Sequence, residues 1–190
     1  YNKTQSYISD DYFTLLDDDE GDWSYGELMD MSVGRIPVRS ASDAAAMVNK
    51  IKHYVNGNGA SSNPTLNNWR NVITFVADDQ DNDTHLKQSD TLAIRVARSN
   101  PIYNIDKIYL DAFNQVTGAG GQRYPDAHDA IVNRVEKGTL LINYIGHGNE
   151  INWAKERVLE IADINAWSNI DRLAAFLTAT CEFTRSSEEG

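Results

Sequence analysis

Cys181 is the only cysteine of the chain. It closes an apolar run, Ala174-Ala175-Phe176-Leu177-Thr178-Ala179-Thr180. His147 stands between Gly146 and Gly148 at the end of a second such run, Thr139-Leu140-Leu141-Ile142-Asn143-Tyr144-Ile145. A thiol and an imidazole at two strand ends are the parts of a cysteine nucleophile with its general base. The two lie 34 positions apart, a spacing that suits neighbouring parallel strands joined by a crossover. Each residue also has a plainer reading. A lone cysteine is often a small core residue, and a histidine between glycines can simply occupy a tight turn. Two features favour the chemistry. The residues after Cys181 (Glu182, Phe183, Thr184, Arg185) turn polar, as at a ligand edge. Gly146 would allow a sharp turn, and Gly148 would leave its backbone N–H open to a developing oxyanion.

The elements that must position this pair follow from local pattern. Asn71 to Ala77 reads as a buried strand, residues 84–98 as a helix, and Lys107 to Leu110 as a strand. Residues 125–137 read as a helix with Pro125 in its first turn and Gly138 just past its end. The His147 strand, a short helix around 161–169 and the Cys181 strand complete the series. Alternating strands and helices predict a parallel α/β sheet with right-handed crossovers. Near-continuous apolar strands predict helices on both faces. Ligands in such sheets bind beyond the carboxyl ends of the strands, where Asp78, Asp79, His147 and Cys181 all fall.

Upstream, Asp17 to Asp22 reads as an acidic turn, and Met31 to Pro37 as a short strand. Ser40 and Asp43 form a start signal for a helix whose Met47, Val48, Ile51 and Val55 share one face. Residues 57–68, rich in Gly, Ser, Asn and Pro, read as a linker or loop. Thr117 to Gly121 lacks the strand–turn–helix context of a dinucleotide site and reads as a loop.

Bulk properties narrow the partners. A chain of 190 residues with 41% hydrophobic content can build one core. Its net charge of −11 argues against nucleic acid and anionic membranes. The start at Tyr1-Asn2-Lys3 and the polar tail Ser186 to Gly190 read as the ends of a piece of something longer.

The acidic run Asp79-Gln80-Asp81-Asn82-Asp83 has two readings. Asp79, Asp81 and Asp83 alternate, with Asp90 eleven positions beyond Asp79, as in part of a calcium loop. However, Thr84 stands at the glycine position, and a strand rather than a helix precedes the run. The other reading is an acidic turn in which Asp83 caps the following helix. Trp153 is either a packing residue or part of the lining of a substrate groove beside His147.

The segment Asn143-Tyr144-Ile145-Gly146-His147-Gly148-Asn149-Glu150, with Trp153 following, resembles the histidine motif of the gingipain family of cysteine peptidases. Ser32 to Pro37 and the helix after it resemble the family's approach to its second catalytic subdomain, and order and spacing are similar from about residue 25 to 185. This resemblance implies a caspase-like three-layer α/β fold with a mainly parallel sheet. Residues 1–38 would end a first catalytic subdomain, 39–68 would connect, and 69–190 would form a second subdomain cut off after the cysteine. His147 would be the acid/base and Cys181 the nucleophile. Backbone N–H groups of Gly148 and Cys181 would form the oxyanion hole. Asp78, or else Asp79, would orient the imidazole and favour its charged form. Asp90 falls near the family's acidic pocket residue for basic side chains; its plainer reading is a solvent-facing helix residue.

No cofactor is implied for catalysis. Thr178-Ala179-Thr180-Cys181-Glu182-Phe183-Thr184-Arg185 is similar to the family's sortase branch, which serves type IX secretion. That branch implies C-terminal domains of secreted proteins as substrates, an anionic lipopolysaccharide as acyl acceptor, an outer-membrane secretion complex as partner and the bacterial surface as location. The alternatives are a secreted protease cleaving after Arg or Lys, and an inactive module. The 190 residues alone are expected to be weakly active or inactive.

Overall fold

The computed structural model describes residues 10–18, 20, 28–56 and 67–181. The stretch 57–66, most of the linker, and the residues after Cys181 lie outside the described residues. The chain divides into two compact units, residues 1–48 with 186–190, and residues 49–185.

In the first unit, Asp11–Thr14 forms a 3-10 turn. The Arg35 guanidinium pairs with Asp10, and the Asp30 backbone N–H donates to the Thr14 carbonyl (2.9 Å). Residues 32–38 form no strand, against expectation. Helix α1, Ala41–Asn56, belongs to the first unit as far as Val48 and to the second from Asn49; it starts where Ser40 predicts, because Ser40 Oγ accepts from the Asp43 N–H (3.1 Å). None of its residues is buried, so its apolar face is not a core face among the described residues.

The second unit holds strands β1 (Val72–Ala77), β2 (Asn104–Tyr109), β5 (Leu141–Ile145) and β8 (Ala175–Ala179). They form one sheet in the order β2-β1-β5-β8, and every pairing is parallel. Helix α2, Thr84–Ser99, links β1 to β2. Helix α3, Pro125–Lys137, precedes β5 and occupies the span its proline and glycine signals predict. Alternate residues of β1 serve opposite faces. Ile73 and Phe75 pack with Ala93 of α2. Val76 joins Ala127, Ile131 and Val135 of α3, with Ile142 and Tyr144 of β5. Both faces are therefore covered, as the apolar strands require.

The chain leaves β1 toward β2 and then returns across β1 to β5. The direction of winding reverses at the β1/β5 boundary, which is where open α/β sheets form their ligand crevice. Two small hairpins accompany the sheet. Strands β3 (Val116–Gly118) and β4 (Gly121–Arg123) pair where a loop was expected, joined by a turn at Ala119-Gly120, with Gly121 at φ +95° opening β4. Strands β6 (Asn152–Trp153) and β7 (Leu159–Glu160) pair just after the His147 segment. A short helix, α4 (Ile161–Ala166), follows. No described helix is long and apolar enough to cross a membrane.

Candidate active site

The site is built from three strand ends. Strands β5 and β8 pair through Ile145↔Ala179, and the Gly146 N–H donates to the Ala179 carbonyl (3.3 Å). His147 and Cys181 each follow the last paired residue by two positions. The parallel register therefore carries imidazole and thiol past the same edge on adjacent strands, which run about 4.8 Å apart. The Cys181 thiol is free and exposed.

Close packing, rather than unusual backbone angles, explains the two glycines. A Cβ on Gly146 would stand 2.4 Å from Asp78 Cβ and 2.6 Å from the Tyr144 hydroxyl. One on Gly148 would stand 2.6 Å from Thr180 Oγ1, so the residue before Cys181 presses directly on the residue after His147. Gly148 also bridges Trp153. The bonds of that bridge run from the Ala154 N–H to the His147 carbonyl (2.8 Å) and from the Asn149 N–H to the Asn152 carbonyl (3.1 Å). Gly148 is thus the non-hydrogen-bonded member, and the hairpin ladder does not use its N–H.

The His147 loop is held from beneath. Asp78, fully buried at the end of β1, accepts from the His147 backbone N–H (2.9 Å) and the Gln80 N–H (3.3 Å). Burial pushes the Asp78 carboxyl above its usual range. The His147 N–H opposes that shift and neighbouring Asp79 adds to it. The Tyr144 hydroxyl donates to the His147 carbonyl (2.5 Å), and its ring stacks on Trp153 at 4.2 Å with planes 4° apart.

The imidazole has other neighbours than expected. Its Nε2 lies 3.2 Å from Asp81 Oδ2, and its ring meets His85 edge-on at 5.2 Å. Asp81 reaches back because Asp81, Asn82 and Asp83 all adopt positive φ (61°, 53° and 60°), a left-handed turn suited to Asn and Asp. Asp78 thus grips the loop's backbone, while Asp81 contacts the ring. His85 arrives on the first turn of α2. Asp81 figured in the sequence only as a calcium ligand, and His85 only as a histidine without metal-ligand spacing to His53 or His128, since the sequence does not show that the turn folds back.

Three further candidate groups have the following surroundings. Trp153 is fully buried and packs under the His147 loop, so it lines no groove. Asp90 pairs with Lys107 (2.6 Å) and accepts from the Tyr109 hydroxyl (3.2 Å). Both partners lie on β2, three strands from β8, and the Lys107 contact holds the Asp90 carboxyl below its usual range. Asp90 is therefore not brought to the site. Asp79, Asp81 and Asp83 do not converge either. Asp79 Oδ2 accepts from the Tyr124 hydroxyl (2.7 Å), Asp81 faces His147, and Asp83 faces Lys87 (3.5 Å). Asp83 precedes α2 but makes no side-chain cap; the Asp81 carbonyl instead accepts from the N–H and hydroxyl of Thr84.

The sequence matches the profile of Peptidase family C25 over residues 1–190. The chain belongs to that family. The gingipain-like character of the His147 motif agrees with this membership. No match is found among curated proteins. The fold is similar to the Arg-specific cysteine proteinase gingipain R (RgpB), with a TM-score of 0.62 at 14% identity, over 90% of this chain and 35% of that one. It is also similar to the complex of Porphyromonas gingivalis RgpB pro- and mature domains, with a TM-score of 0.55 at 15% identity, over 76% and 31% of the two chains. The family C25 chain thus spans about a third of the length of these solved relatives. The likeness confirms the caspase-like α/β fold, a mainly parallel sheet flanked by helices.

Proposed function

We propose that the protein is a cysteine endopeptidase or transpeptidase acting on polypeptides, with Cys181 as nucleophile and His147 as acid/base. The observation that carries the reading is the β5–β8 register, which brings both residues past one sheet edge with Gly148 packed on Thr180. Asp81 on Nε2 leaves the other ring nitrogen, Nδ1, for the thiol. The Cys181 sulfur would attack the scissile carbonyl, and the N–H groups of Gly148 and Cys181 would receive the oxyanion. His147 would then pass a proton to the leaving amine, and a thioester on Cys181 would remain. Water would complete hydrolysis; an amine would complete transfer.

Within the family, we assign the chain to the gingipain-like sortase PorU of the type IX secretion system. The motif around Cys181 supports this, as does the pairing of Asp90 with Lys107. A pocket selective for Arg or Lys needs a free carboxylate, and Asp90 does not supply one. On this reading the protein removes C-terminal domains from secreted cargo at the bacterial outer surface. It passes the acyl group to an anionic lipopolysaccharide, in partnership with the outer-membrane secretion complex.

The test is trapping of the acyl intermediate. A peptide spanning a cargo cleavage site is added, and the mass of the protein is followed with and without an amine acceptor. The expected result is an adduct on Cys181 that an amine discharges faster than water does. Discharge by water alone would leave the protease and reject the sortase. An adduct retained in Cys181→Ala would reject both.

A further inference from the structure

The backbone of the His147 loop is gripped by Asp78 and the Tyr144 hydroxyl, but its imidazole is held more lightly. The His147 side chain is 40% exposed, and Asp81, its hydrogen-bond partner at 3.2 Å, is 59% exposed. A fixed backbone still leaves the ring its side-chain torsions, and the second torsion of histidine is broad and two-fold. Half a turn about it would bring a ring carbon to Asp81 in place of Nε2, and a ring carbon to the thiol in place of Nδ1. Only the ring nitrogens can take a proton from sulfur.

One neighbour closes on that freedom. His85 stands in the first turn of α2 with its side chain 15% exposed. Its ring meets that of His147 with centroids 5.2 Å apart and planes at 87°, the edge-to-face arrangement that aromatic pairs favour. Its Nε2 lies 3.6 Å from Asp81 Oδ2, beyond a hydrogen bond, and its Nδ1 is buried without a partner. What His85 offers is therefore the surface of its ring. Thr84, the residue before it, acts on the same turn: its N–H (3.1 Å) and hydroxyl (2.6 Å) donate to the Asp81 carbonyl. Thr84 thus ties down the backbone of Asp81, and His85 walls in the contact of Asp81 with His147.

We propose that His85 is a positioning residue for His147: its ring keeps the imidazole with Nε2 on Asp81 and so Nδ1 toward Cys181. This role rests on the assignment of Cys181 as nucleophile and His147 as acid/base. No proton or bond passes through His85. Loss of its ring would let the His147 imidazole turn away and leave the thiol itself intact. The effect is then confined to the pH range in which the thiol needs help to ionise.

The test is the pH profile of Cys181 alkylation by iodoacetamide in the wild type, His147→Ala and variants at His85, with urea unfolding to show that each is folded. His85→Ala and His85→Gln lack the ring. Both should alkylate about tenfold or more slowly than the wild type well below pH ~8.5, yet as fast above it. His85→Phe keeps the ring outline and removes the buried unpartnered nitrogen. It should follow the wild-type profile and unfold no earlier. Wild-type rates at low pH in both His85→Ala and His85→Gln would overturn the proposal. So would a loss in His85→Phe equal to that in His85→Ala, which would assign the effect to the ring nitrogens. A loss spread evenly over all pH would make His85 a structural residue only and would overturn it too. The pair it serves is judged separately. A rate unchanged in His147→Ala rejects the Cys181–His147 pair and the role of His85 with it. A rate lost in His147→Ala but kept in His85→Ala and His85→Gln rejects the role of His85 alone.

Discussion

His147 and Cys181 stand side by side but are anchored differently. His147 leaves β5, which is paired on both sides. Its loop rests on buried Asp78, the Tyr144 hydroxyl and the Tyr144–Trp153 stack. Cys181 leaves β8, which is paired on one side only among the described strands. Phe176 and Leu177 there are 37% and 55% exposed. His147 thus inherits its position from the core. Cys181 depends on one strand pairing, on the contact of Thr180 with Gly148 and on Phe176, whose ring meets Trp153 and Trp167. Substitutions on the β5 side should cost fold stability, whereas one at exposed Leu177 of β8 should leave the fold nearly unchanged.

The largest effect is expected at Trp153. Replacement by alanine empties a fully buried indole site and should cost about 3–5 kcal/mol in urea unfolding. A loss below about 1 kcal/mol would mean that the stack does not anchor the loop. Gly146→Ala comes next. Its new methyl meets Asp78 and Tyr144, both in the packed interior, so overpacking should cost about 1–3 kcal/mol by the same measurement.

A smaller, pH-dependent effect lies between α3 and α4. Burial of the His128 ring works against its charge, but Asp163 (3.0 Å) and Asp129 (3.1 Å) outweigh it and raise the pKa. Because the folded value exceeds the unfolded one, about 6.5, the charged ring stabilises the fold fully below that pH. The contribution disappears as pH rises through the raised folded value. Wild type minus His128→Gln should therefore differ most in urea midpoint below about pH 6.5 and converge above it. For so exposed a pair the difference should stay under about 1 kcal/mol. A gap that widens with pH would reverse the assignment. The smallest effect is expected at Leu177→Ala on β8, within about 0.5 kcal/mol. A loss there to match Trp153→Ala would erase the contrast between the two regions.

Much of the positioning was legible in local pattern. The strand around Ile145 is a continuous apolar run ended by glycine. Helix α3 carries Pro125 and Gly138 at its two ends, and Ser40 caps α1. These signals act over a few residues, so no tertiary knowledge is needed to read them. The remainder depends on long-range placement. Strands β3, β4, β6 and β7 span two or three residues each, too short to show a period. Nothing in Lys155-Glu156-Arg157 marks Glu156 for burial, yet it is buried in a turn where Ala154 and Arg157 adopt positive φ. Asp78 and Asp81 were both in view as acids after a strand. Which one grips the His147 backbone and which one meets its ring depends on the left-handed turn through Asp83. Trp153, close to His147, left packing and groove lining both open, and its stacking on Tyr144 places it in the core.

The central claim is that His147 activates Cys181. The most direct test is the rate of Cys181 alkylation by iodoacetamide as a function of pH, in the wild type and in His147→Ala. If His147 activates Cys181, alkylation is fast, persists well below the ordinary thiol titration near pH ~8.5 and is lost in His147→Ala. A slow rate that rises only near pH ~8.5, the same with and without His147, would contradict it.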